Sequence, residues 1–201
     1  MTTLRHPLLR VGPATLALAL PGLCAAHGSD AGVHHDALAA LWAGFVHPLI
    51  GADHWTAMLA FGLWSSMTAK RAAVMPFAFT AMVMVGAMLG FKHAPVSVVD
   101  PVIACSLFVL GLLIAMRWTI PSWAGALMAE AFGLFHGAAH GFELAGPGQT
   151  FALAGMLVAT LLLQGLGIAL GRWLPQRAPW LPRLGGAALA LFGTVLLGPF
   201  A

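Results

Sequence analysis

The segment from His47 to His54 carries three ionisable side chains, His47, Asp53 and His54, inside a strongly apolar stretch. On a regular α-helix His47 and His54, seven residues apart, share a face, whereas Asp53 lies about 120° away. A break near Pro48 or Gly51 would bring all three together and would free backbone carbonyl groups as further ligands. The segment therefore predicts one part of a metal site on an interrupted helix.

A second segment carries His136, His140 and Glu143, which are separated by four and then three residues. These spacings place two imidazoles and one carboxylate along one stripe of a helix, an arrangement that suits chelation of a metal ion. Glu130 lies about two turns earlier on the same predicted helix. We expect Glu130 near the middle of the membrane, as the next polar group on an inward path.

The donor atoms of these two segments limit the choice of metal. Imidazole nitrogen and carboxylate oxygen suit nickel, cobalt, zinc or copper(II), and the lack of thiolates disfavours copper(I). Affinity order alone does not choose among these ions. Cys24 and Cys105 lie far apart in the sequence and predict neither a disulfide nor a metal-binding pair.

The composition places the chain among membrane proteins. Of its 201 residues, 60% are hydrophobic and only 7% are charged, and the mean hydropathy is +0.92, which is typical of membrane proteins rather than soluble domains. A bilayer core of roughly 30 Å needs about 20 apolar residues per helix, so this length supplies about six spans. The pI near 9.5 rests on dispersed basic residues, which set orientation in the membrane and predict no nucleic-acid partner.

Residues 1–26 resemble a secretory signal peptide, with a basic region, an apolar run and a small-residue cleavage site that ends at Ala26. An uncleaved signal anchor is the alternative. Cleavage would make His27 the first residue of the mature domain, 27–201. His27 and the imidazole and carboxylate groups that follow it could capture metal at the entrance of a path, or they could form a solvated tail.

Six apolar runs follow this leader and predict an all-α membrane protein with six transmembrane helices, at about 38–68, 73–91, 101–116, 121–142, 150–170 and 184–200. A cleaved leader places the mature N-terminus in the periplasm of a bacterial inner membrane, and six spans return the C-terminus there. On this topology all the basic residues between the spans except Lys92 are cytoplasmic, as the positive-inside rule requires. The first run, about 31 residues, is too long for one span, so the part before Pro48 should lie at the outer surface.

Glycines recur every fourth residue in the second run, at Gly86 and Gly90, and in the fourth, at Gly133, Gly137 and Gly141. Such small faces predict close contact between helices. The two metal-binding segments lie three spans apart on oppositely directed helices, which favours an inverted repeat of three plus three helices. On the same topology both segments reach the outer third of the bilayer.

The sequences HPLIGADHWTAM at His47–Met58 and HGAAHGFE at His136–Glu143 closely resemble the two motifs of the HupE/UreJ family of nickel and cobalt permeases. The resemblance covers the whole mature chain. It implies uptake of Ni²⁺ or Co²⁺ that supplies enzymes such as hydrogenase or urease, by secondary transport or facilitated diffusion. It also implies that the histidines and acidic residues of both motifs bind the transported ion and that no prosthetic group is resident.

Two other classes of protein would also use histidines from two membrane helices. In a membrane-embedded zinc hydrolase, three ligands would hold zinc and Asp53 or Glu143 would activate the bound water. In a haem-binding electron carrier, histidines from two helices would be axial ligands. We expect a permease rather than an enzyme, and since no Walker motif is visible, we do not expect direct ATP drive. The sequence predicts no oligomeric state.

Overall fold

The computed structural model describes residues 33–68, 72–92 and 97–198. These ranges contain no strand, and their helices are α1 (Val33–Ile50), α2 (Ala52–Thr68), α3 (Val74–Gly90), α4 (Val99–Met116), α5 (Ser122–Glu143), α6 (Gln149–Arg177) and α7 (Leu181–Leu197). The prediction of an all-helical fold is confirmed. The predicted leader, 1–26, and His27 lie outside the described residues.

The first predicted run forms two helices that are separated at Gly51. Pro48 is part of α1, and the chain leaves the helical conformation three residues later. The carbonyl oxygen of Gly51 accepts hydrogen bonds from the backbone N–H groups of His54 and Trp55, at 3.1 and 3.2 Å, which begin α2. Asp53 Oδ1 also accepts the N–H of His54, at 2.9 Å. The predicted break is therefore confirmed, and it falls at the glycine.

Helices α3 and α5 run in the same direction with their backbones in close contact. Gly133, Gly137 and Gly141 each face a backbone carbonyl group of α3, and Gly86 and Gly90 of α3 face the backbone of α5 in the same way. The predicted glycine contacts are confirmed. Because this face of α5 lies against α3, the rotation of α5 is fixed, and both of its histidines become buried.

Helix α6 runs alongside both α1 and α2. Gly155 of α6 faces the backbone of α1, and Gly167 faces the backbone of α2, with the same chain direction in α2 and α6. Helices α4 and α7 form an antiparallel pair, in which Gly111 of α4 and Gly186 of α7 meet. Glycine-mediated contacts thus bring all seven described helices into three groups, α1–α2–α6, α3–α5 and α4–α7.

The exterior of the bundle is apolar. Large hydrophobic side chains are exposed along most of the helices, among them Phe77, Leu127 and Leu191. Two of the described helices, α4 and α6, are each long and apolar enough to cross a membrane, and shorter apolar helices occur at Ala37–Ile50, Val74–Gly90 and Leu181–Leu197. An apolar exterior on a helical bundle is what a lipid environment requires.

Candidate metal site

The two predicted segments meet where α1 gives way to α2 and where α5 ends. His47 Nε2 lies 2.8 Å from Glu143 Oε2, and His140 Nδ1 lies 3.9 Å from the same oxygen. Ligand atoms of these three residues all lie within 4.8 Å of one another. Since bonds from imidazole and carboxylate to such metals are about 2 Å long, a small adjustment would let one ion bind all three.

His54 lies among the other histidine rings. Its ring centroid is 4.3 Å from that of His140 and 5.2 Å from that of His136. His54 Nδ1 lies 2.8 Å from Asp53 Oδ1. A carboxylate that accepts the N–H of one ring nitrogen leaves the other nitrogen with a free lone pair, a common arrangement behind metal-binding histidines. His54 Nε2 is therefore the atom offered to a ligand.

The structure thus brings six predicted ligand residues into one group, named here the histidine–carboxylate cluster: His47, Asp53, His54, His136, His140 and Glu143. The geometry of α1 and α2 explains how the first three meet. The helix is interrupted at Gly51, and beyond this break the ring of His54 lies against those of His136 and His140 on α5, with Asp53 beside it.

Two members of the cluster are completely enclosed. His136 and His140 are 0% and 1% exposed. Ser106 Oγ donates to the carbonyl of Ile103 at 2.6 Å and lies 3.0 Å from His136 Nε2, so the hydroxyl oxygen can accept the Nε2–H group. This arrangement leaves His136 Nδ1 with a free lone pair.

Several nitrogens of the cluster find no hydrogen-bond partner within the described part of the chain: His54 Nε2, His136 Nδ1, and Nδ1 and Nε2 of His140. Buried polar atoms are nearly always paired in folded proteins. Four unpaired imidazole nitrogens in one place are expected of a site whose ligand completes the pairing. Their chemistry fits a divalent transition-metal ion.

The cluster opens into a cavity of about 490 Å³ that Asp100 also lines. Asp100 lies in the first turn of α4, and sequence reasoning missed it. All the formally charged residues that line this cavity, Asp53, Asp100 and Glu143, are acidic. An acidic concave surface raises the local concentration of cations.

Phe79 lies beneath the cluster. Its ring centroid is 5.5 Å from that of His136 and 4.5 Å from that of Phe61, and both phenylalanines are fully buried.

Glu130 is half-buried on α5, about 9 Å along the helix from His136, and it does not line the cavity. The structure therefore does not bring Glu130 into the cluster, and its place on an inward path stays a prediction.

The fold and the cluster define a class of protein: a helical bundle with an apolar exterior and an acidic, imidazole-rich cavity whose donor atoms suit a divalent metal ion. The chain matches the family model described as HupE / UreJ protein over residues 15–196. It is also 38% identical, over 184 residues, to Protein HupE of Rhizobium leguminosarum bv. viciae. The aligned region covers 90% of this chain and 93% of that protein. No solved structure matches the chain.

This chain belongs to the HupE/UreJ family, and the predicted resemblance is confirmed. The family is associated with nickel and cobalt uptake for hydrogenase and urease, and its members are membrane proteins of the transporter type.

Proposed function

We propose that this chain is a permease of the bacterial inner membrane that takes up Ni²⁺ first and Co²⁺ second through the histidine–carboxylate cluster. The observation that carries the proposal is the meeting of six predicted ligand residues from α1, α2 and α5, five of which line one acidic cavity. Imidazole and carboxylate donors suit these ions. An open site that offers several donors, rather than a closed cage, allows the ion to leave as well as to bind.

The proposed topology has six membrane spans, of which α1 and α2 together form the first. Exposed tryptophans support it: Trp118, Trp123, Trp173 and Trp180 are each more than half exposed and lie where α4 ends, α5 begins, α6 ends and α7 begins. Tryptophans collect at membrane–water interfaces in this way. Arginines accompany them at these helix ends, so we place this end in the cytoplasm, and the cluster and both mature termini on the periplasmic side.

The proposal includes an inverted repeat that relates the first three spans to the last three. In such a repeat the first, second and third spans correspond to the fourth, fifth and sixth. The contact between the second and fourth spans, α3 and α5, therefore corresponds to the contact between the fifth and first, α6 and α2. Both pairs are parallel and glycine-mediated. The antiparallel pair α4–α7 is the contact that the repeat would map onto itself. These three relations support the repeat.

The test of transport is nickel accumulation in cells or liposomes that contain the protein. We expect His54→Ala and His136→Ala to reduce the initial rate of uptake at least tenfold, because each removes a donor from the middle of the cluster. Ser122→Ala is the control, since this exposed residue lies at the start of α5, at the opposite end of the bundle from the cluster. Uptake by both histidine variants at the rate of Ser122→Ala would reject the proposal.

Two further residues belong to the proposal as secondary ligands: Glu130 on the inward path and His27 at the periplasmic entrance. Glu130→Gln should lower the maximal rate of uptake, because the change acts after the ion has bound. His27→Ala should lower uptake only at low nickel concentration, because the change acts on capture. Reversal of these two patterns would exclude the assigned places.

A membrane-embedded zinc hydrolase stays as the second candidate because of one observation. His47, His140 and Glu143 form a set of two imidazoles and one carboxylate, which is also the ligand set of some catalytic zinc sites. Purified protein that retains stoichiometric zinc and cleaves a lipid ester or amide, without moving nickel across liposomes, would favour the enzyme.

A further inference from the structure

Three of the polar side chains that are buried away from the cluster lie on α3 and α6. Thr80 of α3 is 5% exposed, and Thr160 and Gln164 of α6 are 0% and 2% exposed. Thr80 Oγ1 donates a hydrogen bond of 2.8 Å to Gln164 Oε1. Gln164 Nε2 and Thr160 Oγ1 find no partner in the part of the chain that the structure describes. These three residues are named here the amide site.

The amide site lies between the cluster and the opposite end of the bundle. The backbone of Gln164 packs against Gly62 of α2, which follows His54 by eight residues, or about 12 Å along the helix. A cleft at the far end of the bundle is lined by Ser66 and Gly171. Ser66 follows Gly62 by four residues, or about 6 Å. Gln164 is therefore at an intermediate depth between the two openings.

The unpaired atoms of the amide site make folding less favourable unless a ligand binds them. Burial of an unpaired amide or hydroxyl in an apolar interior costs free energy, and inside a membrane no surrounding water can supply the missing hydrogen bond. Thr160 and Gln164, four residues apart, also lie on the same face of α6, where the Cβ atoms of such a pair are about 5–6 Å apart. Methionine and valine would fill the same space without this cost, so the polar atoms require another explanation.

We infer that the amide site is a second and weaker binding site for a partly hydrated divalent metal ion, on the way from the cluster to the opposite cleft. The inference rests on the proposed transport function. Rotation of the Gln164 amide by 180° lets Nε2 donate to Thr80 and turns Oε1 towards the ion, beside the hydroxyl of Thr160. Neutral oxygen donors attract such an ion less strongly than imidazoles with carboxylates do, so the ion is released rather than trapped.

The experiment removes the polar atoms of the amide site while it keeps their volume. Gln164→Met and Thr160→Val are the variants, and Thr194→Val is the matched control, since it makes the same change on α7, where the hydroxyl only bonds to the backbone. Three quantities are measured on purified protein: the rate of nickel uptake into liposomes, nickel affinity by calorimetry, and the temperature of unfolding.

We expect uptake to fall about tenfold in Gln164→Met and severalfold in Thr160→Val, because an ion without these donors meets a higher barrier. Nickel affinity should stay at the wild-type value, because the cluster is intact. The unfolding temperature of Thr160→Val should be unchanged or higher, since replacement of an unpaired buried polar group by an apolar one of similar shape is neutral or stabilising. Gln164→Met should lower the unfolding temperature modestly, because the buried hydroxyl of Thr80 loses its acceptor. Thr194→Val should match the wild type in uptake and affinity.

Three outcomes would overturn the inference. Normal uptake by Gln164→Met and Thr160→Val, beside loss of uptake in His54→Ala, would remove the amide site from the path and leave the permease proposal intact. Normal uptake by His54→Ala as well would contradict both the amide site and the permease proposal. A joint loss of stability and uptake in both amide-site variants would show that these side chains only hold α3 and α6 together.

Discussion

Gly133→Ala adds one carbon atom to α5 without changing any polar group, so it tests whether close packing positions the cluster. An ideal Cβ at Gly133 would lie 2.5 Å from the carbonyl oxygen of Phe79, whereas ordinary contacts begin at 3.4 Å. The difference is about 0.9 Å, and the obstacle is backbone of α3, which cannot rotate away. The two helices must therefore separate by nearly this distance.

Separation by about 0.9 Å has two measurable effects. Overpacking typically costs about 1–3 kcal/mol, which for a protein of this size lowers the unfolding temperature by about 2–12 °C. The shift also exceeds the tolerance of about 0.2 Å in metal–ligand distances. Because His136 and His140 lie on the displaced helix, we expect nickel affinity and the rate of uptake to fall at least tenfold.

Gly165→Ala is the matched control, because a Cβ at this position of α6 meets nothing within 4 Å. Both variants gain the same preference for helix, up to about 1 kcal/mol, so their difference isolates the collision. Unfolding is followed by tryptophan fluorescence and uptake by nickel entry into liposomes. A Gly133→Ala protein as stable and as active as Gly165→Ala would refute the link between glycine packing and the geometry of the cluster.

Three further substitutions test separate parts of the site. Ser106→Ala removes the hydroxyl beside His136 Nε2 and should weaken nickel binding about tenfold, as loss of a group that orients a metal ligand does. Unchanged nickel affinity by calorimetry would show that the hydroxyl does not orient the ring of His136. Asp100→Asn should raise the apparent KM of uptake severalfold at low ionic strength and much less at high salt, and an equal effect at both would contradict electrostatic attraction. Glu143→Gln should reduce nickel affinity more than tenfold with little change in unfolding temperature, because the partly exposed carboxylate contributes a charge beside His47 rather than packing; normal affinity would exclude Glu143 as a ligand.

The elements of the fold were largely predictable because hydrophobic length and punctuation determine them. The excess length of the first run, with Gly51 inside it, predicted a break that the structure contains. The glycines of α3 and α5, four residues apart, predicted which faces meet. The bounds of α6 were less predictable: it continues to Arg177 through Pro175, past the end of the apolar run near residue 170, because polar residues outside the bilayer core can still be helical.

The cluster was predictable as a set of residues but not as a set of contacts. Spacing placed His136, His140 and Glu143 on one stripe, yet the pairing of Glu143 with His47 depends on how the helices rotate against each other. Glu130 was predicted from its expected depth in the membrane alone, and depth does not show which way a side chain faces around its helix. Asp100 was missed because it stands alone in the sequence, although its position at the start of α4 marks the same end of the bundle.

The continuity of α6 has a mechanical consequence for the interrupted first span. One unbroken helix supports the segments on both sides of Gly51, through Gly155 against α1 and Gly167 against α2. The contacts with α6 therefore restrain both helices, and neither α1 nor α2 can move without sliding along α6. A displacement of α1, which bears His47, would be transmitted through α6 to α2, which bears His54.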